Sequence, residues 1–330
     1  DLSSSELADL VARLRVSLAP TILSLGDIPP FDVDAAHEIY RRILSPVEKG
    51  WKNARNLLFV TQGPLASLPI SVLSTKSISL APERGGLFMR YRDVAWLARS
   101  HAVSVLPSVA SLRSFNRAMV AKASQKPFVG FGDPFFSPAQ ATEAKQSEKT
   151  QIQVASRGFQ LRSRPRTRTV SDAEIERLPR LPDTRQEILE VASALKADTA
   201  DVYLGQRASE TLVKSLDLTP YRIISFATHG LVPGDLNGLD QPALALSSPE
   251  VTGEDNDGLL TMGEIMGLKL NADWAILSAC NTAAAEGEGT EAVSGLGKAF
   301  FYAGAKALLV SNWPVHSAAT TTLMIELFRR

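Results

Sequence analysis

Apolar positions along this chain recur in two rhythms, a helical one near the start and a strand-like one from Asn56 onward. Over residues 2–18, Leu7, Leu10, Val11, Leu14 and Leu18 fall on one helical face, with Ser3 to Ser5 offering an N-cap. A second helical block follows Asp34, where Ile39, Ile43 and Val47 keep four-residue spacing and Pro46 breaks or kinks it. Residues 56–61, 102–106 and 128–132 then read as buried strands, punctuated by Gly63-Pro64 and Asp133-Pro134. A helix from Pro107 through Leu112 and Phe115 follows the second of them.

Residues 137–180 lose the pattern. They are rich in Ser, Gln, Ala and Arg, including Arg162, Arg164, Arg166 and Arg168, and predict a flexible basic linker. Order resumes with a helix over 184–195, a strand over 201–204, a helix over 209–216 and a strand over 222–228. Strand 242–246, a short helix over 260–266, strand 274–279, a helix over 290–303 and strand 306–311 complete the series. Strands alternating with helices predict an α/β fold with a mostly parallel sheet flanked by helices. The expected organisation is a helical segment over 1–55, one α/β subdomain over 56–136, the linker over 137–180 and a second α/β subdomain over 181–330. A chain that opens on Asp1 and stops inside a helical pattern at Arg330 is expected to be a segment of a longer protein.

Composition narrows the class. With 45% hydrophobic and 21% charged residues the chain reads as globular, and 35 basic against 35 acidic residues give no overall basicity for nucleic acid. No apolar stretch reaches the roughly 18–20 residues of a membrane helix, so no membrane partner is expected. A single cysteine makes no internal disulfide, as expected of a reducing cytoplasm. His37 and His101 lack partners at zinc-ligand spacing, so no metal is expected. Gly295-Leu-Gly297-Lys298 fails as a phosphate loop because Ala292 and Ala299 stand where Gly and Ser or Thr are required, and Phe300 breaks the dinucleotide fingerprint. No cofactor is expected.

The chemistry gathers on two strands. His229, followed by Gly230, ends the run 222–228, and the lone Cys280 closes the run 274–279 fifty-one positions later. In parallel sheets, reacting groups collect beyond the carboxyl ends of the strands. A thiol attacks as its thiolate, which a nearby imidazole helps to form. Caspases carry a histidine about 50 residues before their cysteine, although Ser278-Ala-Cys-Asn-Thr282 is not their signature. A core cysteine and an ordinary satisfied histidine fit the same spacing. Gly230 permits a sharp turn, and its N–H together with that of Cys280 suits an oxyanion hole.

The surrounding text resembles the CHAT domain family. The matching stretches are Ile224-Ser-Phe-Ala-Thr-His-Gly230, Asp257-Gly-Leu-Leu-Thr261, Leu277-Ser-Ala-Cys-Asn-Thr282 and Gly295-Leu-Gly-Lys-Ala-Phe-Phe-Tyr-Ala-Gly-Ala305. Phe128-Val-Gly-Phe-Gly-Asp-Pro134 and Val310-Ser-Asn-Trp-Pro-Val315 match as well, so the likeness runs from about residue 56 to the end. The resemblance implies a caspase-like cysteine peptidase of the caspase–separase clan, mostly bacterial and commonly attached to tetratricopeptide (TPR) repeats. It implies His229 as general base, Cys280 as nucleophile, and Gly230 and Cys280 N–H groups as oxyanion hole. It further implies two tandem units, a dyad-free pseudo-protease followed by the active protease. Protein or peptide substrates and a TPR or sensor region outside this chain are the implied partners. After Trp313-Pro-Val315 many relatives carry a carboxylate, where this chain has His316-Ser317; Ser317 suits a helix cap, and His316 stands as an alternative base.

Charge adds a substrate expectation. Between Leu231 and Gly297 there are eleven acidic residues and one basic residue, Lys269. A negative cleft attracts cationic peptide segments, with Asp255, Glu286 and Glu288 the expected contacts; a merely solvated acidic face is the alternative. The basic stretch 157–168 is a candidate for self-cleavage or self-inhibition, and loop 233–258 for an activating motion. The rival functional readings are a catalytically silent peptide-binding or scaffold module and a non-proteolytic thiol hydrolase.

Overall fold

The computed structural model describes residues 2–18, 28–82, 86, 88–106, 125–149, 174–278, 295–311 and 317–329. These form two compact units, one up to Leu106 and the other from Gln125 onward. The helix expected after Pro107, the first five residues of helix 290–303 and the arginines 162–168 lie outside the described residues.

The first unit opens with α1 (Ser4–Leu18), which buries Val11 and Leu14. Helix α2 (Val33–Ile39) starts where the Asp32 carboxylate accepts the Ala35 N–H. Approaching Pro46 the backbone loosens into a π turn, Tyr40–Leu44, and a 3-10 turn, Ser45–Val47, before α3 (Glu48–Trp51). Strands β1 (Asn56–Phe59) and β2 (Ala102–Val105) pair in parallel over a core that includes Leu14, Ile39, Leu73 and Leu97.

The second unit contains β3 (Lys126–Gly132), α4 (Pro138–Lys149), α5 (Asp183–Ala194), β4 (Val202–Leu204), α6 (Glu210–Ser215) and β5 (Tyr221–Ala227). After these come β6 (Gly230–Leu231), β7 (Ala243–Ala245), α7 (Pro249–Thr252), β8 (Leu259–Thr261) and α8 (Met262–Gly267). Strand β9 (Trp274–Leu277), α9 (Gly295–Ala303), β10 (Leu308–Val310) and α10 (Ser317–Arg329) end the unit. The main sheet is parallel, in the order β10-β9-β5-β3-β4, and β6-β7-β8 form a small antiparallel sheet.

Three sequence expectations change here. Strand β3, expected in the first α/β subdomain, pairs with β4 and β5 of the second unit. Its reason is burial: Phe128, Val129 and Phe131 are all enclosed, and a continuous apolar run belongs at the centre of a parallel sheet. The stretch 137–180 is not all linker, since α4 occupies its start and a 3-10 turn, Ile175–Arg177, leads out of it. Residues 259–261 form a strand rather than the start of a helix. Helix α8 begins only at Met262, because Thr261 and Glu264 close a reciprocal capping box there.

Candidate active site

Sheet order reverses between β3 and β5. From β3 the chain moves outward to β4, then crosses back to β5 and continues to β9 and β10. In doubly wound sheets the crevice for ligands opens beyond the carboxyl ends of the strands at this switch point. Gly132-Asp133 leaves β3 there, and Thr228-His229 leaves β5.

His229 is 1% exposed, and its ring lies against Phe136 with centroids 5.5 Å apart. Its Nε2 is 2.8 Å from the carbonyl oxygen of Pro179. A carbonyl only accepts, so Nε2 is the donor, and in the neutral imidazole Nδ1 keeps the lone pair. The neighbouring Thr228 hydroxyl donates to the Ala245 carbonyl, which anchors the end of β5 to β7. The histidine therefore has one oriented face and one basic nitrogen.

The residues on either side of Pro179 are anchored. Leu178 is buried, and its carbonyl accepts the Gln140 side-chain amide at 2.8 Å, while the Gln140 oxygen accepts the Phe136 N–H. Arg180 grips Asp133 through two parallel bonds, Nε to Oδ1 at 2.8 Å and an η nitrogen to Oδ2 at 2.7 Å. Asp133 is fully buried with φ of +49°, a left-handed conformation that aspartate tolerates better than most residues. The Arg180 guanidinium also lies 4.9 Å from the Phe135 ring centroid. Sequence reasoning missed Pro179, Arg180 and the role of Asp133.

Cys280, Glu286, Glu288 and His316 lie outside the described residues. The strand leading to Cys280 is described, and its register is informative. Strand β9 neighbours β5 with Phe226 opposite Leu277, and the Ser278 N–H donates to the Phe226 carbonyl at 2.9 Å. His229 and Cys280 each follow that opposed pair by three positions. Gly230, for its part, starts the edge strand β6 opposite Leu244. The Ala245 N–H donates to the His229 carbonyl at 3.0 Å, so the next position, Gly230, is a non-hydrogen-bonded one. Ladder alternation turns its N–H away from β7.

A model of the CHAT domain family matches residues 33–330. The chain belongs to the CHAT domain family. Among curated proteins none matches it. The CHAT family is associated with caspase-like cysteine peptidase domains, and the parallel sheet flanked by helices agrees with that fold class.

In this CHAT chain the acidic residues divide by location. Asp273 precedes β9, at the opposite end of the sheet from His229, where it pairs with Lys306 and Arg222. Glu264 caps α8 and pairs with Lys214, and Asp235 accepts the Val232 N–H. Those three serve structure. Asp255, Glu250 and Asp257 are exposed. Glu176, in the segment leading to Pro179, has its carboxyl raised by burial and then by the charges of Glu250 and Glu174. Glu176 thus lies close enough to Glu250 and Glu174 to feel their charges, which adds two carboxylates to those counted from Leu231 to Gly297. Among the described residues no cluster of His, Cys, Asp and Glu is arranged to hold a metal ion, and no helix is long and apolar enough to cross a membrane.

Proposed function

We propose that this chain is a CHAT-type cysteine endopeptidase in which His229 serves Cys280. The observation that carries the reading is the register of β5 on β9: both residues follow the opposed pair Phe226 and Leu277 by three positions, at the carboxyl ends of adjacent parallel strands. The thiol proton passes to His229 Nδ1, and the Cys280 thiolate adds to the scissile carbonyl carbon. Negative charge develops on the carbonyl oxygen, where the Gly230 and Cys280 N–H groups receive it. As the C–N bond breaks, Nδ1 returns its proton to the departing amine and a thioester remains. Water, losing a proton to Nδ1, attacks the thioester; the acid leaves and the thiol is restored. Nε2 keeps its bond to Pro179 throughout, so the ring does not turn between steps.

The rim of Glu174, Glu176, Glu250 and Asp255, with Glu286 and Glu288 as sequence candidates, supports a preference for Arg or Lys near the cut. The first unit is read as the dyad-free partner unit, and a TPR or sensor region beyond this chain as the activator, in a reducing compartment. A peptide library incubated with the protein and its flanking region tests the reading. Cleavage biased toward basic residues, and lost in Cys280→Ala, is expected. Cleavage that survives Cys280→Ala overturns it, and a wild-type protein that cuts nothing leaves the binding-module reading in its place.

A further inference from the structure

We propose that Asp133 and Arg180 are positioning residues for the general base: their buried pair fixes the segment 178–181, so that the Pro179 carbonyl holds the His229 tautomer with its lone pair on Nδ1. The assignment rests on the reading of His229 as base, but its geometry does not depend on Cys280. Pro179 has no side-chain donor or acceptor with which to fix its own carbonyl. Its two neighbours carry the anchors. Leu178 is clamped by Gln140 on one side, and Arg180 by Asp133 on the other. Asp133 is the residue that leaves β3 at the switch point, so the tie runs from one strand end of the crevice to the base at the other.

The anchor is over-determined in a way surface ion pairs are not. The Asp133 N–H donates to the Thr184 hydroxyl at 2.8 Å, and that hydroxyl donates to the Leu181 carbonyl at 2.7 Å, closing a ring of contacts around residues 180–184. The Phe135 N–H donates to Ser247 Oγ, which donates to the Gly205 carbonyl, so the strand exit carrying Asp133 is fixed too. Bidentate arginine–carboxylate geometry adds orientation as well as attraction, a demand lysine does not meet. A pair needed only for burial of β3 has no call for the arginine to sit next to the residue whose carbonyl orients the base.

The test reads the imidazole directly. Nitrogen-15 spectra of histidine-labelled protein, with the His229 signals assigned by their loss in His229→Gln, report which ring nitrogen carries the proton. Wild type is expected in the Nε2–H form. In Asp133→Asn/Arg180→Gln, which leaves no lone buried charge, the Nδ1–H form is expected to appear, with kcat falling roughly 10- to 100-fold and KM within about twofold; full loss of the correct tautomer in a related triad costs about 10⁴. Arg180→Lys, which keeps the charge paired but not the fork, is the second variant and is expected to lie between the two. Gly304→Ala, a destabilising change remote from the pair, is the control and is expected to leave the tautomer alone. Unchanged His229 signals in folded Arg180→Lys or in the double variant overturn the proposal. A wild type that holds the Nε2–H form but cuts no peptide overturns the peptidase reading instead, and leaves the positioning intact.

Discussion

His229 and Pro179, fifty residues apart in sequence, are joined by a 2.8 Å hydrogen bond from imidazole Nε2 to the proline carbonyl. That one bond places the proton of a buried neutral imidazole on Nε2. In the proposed mechanism Nδ1 is then the nitrogen that exchanges protons, and the segment after α4 belongs to the site. A backbone carbonyl does this without adding a second titrating group.

Removing the ring removes the proton transfer. His229→Ala is expected to lower kcat by about 10²–10⁴ with a small change in KM, the usual range for loss of a positioned acid–base group. Steady-state kinetics on a basic fluorogenic peptide measure both. His316→Ala, by contrast, is expected to leave kcat within a few-fold; a loss equal to that of His229→Ala would transfer the role of base.

The proposed acidic rim predicts salt-sensitive recognition. Glu176→Gln/Glu250→Gln is expected to raise KM for an arginine peptide several-fold at low ionic strength, with the difference fading at high salt, while kcat holds. An unchanged KM at low salt would assign the rim to solvent.

Acid stability has a worked sign at the far end of the sheet. Burial pushes the Asp273 carboxyl up, but the hydrogen bonds from Lys306 and Arg222 together hold it below its ordinary 3.8. A depressed folded value contributes stability above the unfolded value, and that contribution is lost as pH falls through the folded one. Asp273→Asn is therefore expected to lower stability at pH 7 by about 1 kcal/mol. The wild-type advantage should shrink below pH 3.8. Denaturant melts of both proteins from pH 7 to pH 2 check this, and parallel curves would contradict it.

Gly304 sets the turn from α9 toward β10. Its φ is +112°, and a Cβ there would run into the Leu270 carbonyl oxygen. Gly304→Ala is expected to cost roughly 2 kcal/mol, or roughly 4–8 °C in melting temperature, readable by calorimetry.

The two strands that lead to the proposed dyad were legible because their signal is local. Residues 222–228 and 274–279 are largely apolar runs with a His or Cys immediately after them, and both supplied neighbouring strands of the main sheet. Strand β3 was legible as a strand but not as a member of that sheet. Parallel pairing joins Lys126 to Tyr221 across a long crossover, and nothing in either run names its partner. Asp133 read as a turn residue before Pro134, which it is; its buried ion pair needs Arg180, forty-seven positions on at the tail of an Arg- and Ser-rich stretch. Pro179 gave no signal at all, since the group bonded to His229 is its backbone oxygen. The three residues of β8 were too short for a period, and they run directly into α8, so the helix was read from residue 260.

The most direct test of the dyad is the rate of Cys280 alkylation by iodoacetamide against pH, in wild type and in His229→Ala, with the flanking region present. It is the only cysteine of residues 1–330, and its alkylation is followed on the peptide that carries it. The wild-type thiol is expected to react well below the pH of an ordinary thiol, whose pKa is about 8.5, and His229→Ala to return the profile to that value. Two superimposed profiles, both rising near pH 8.5, would contradict a His229–Cys280 pair.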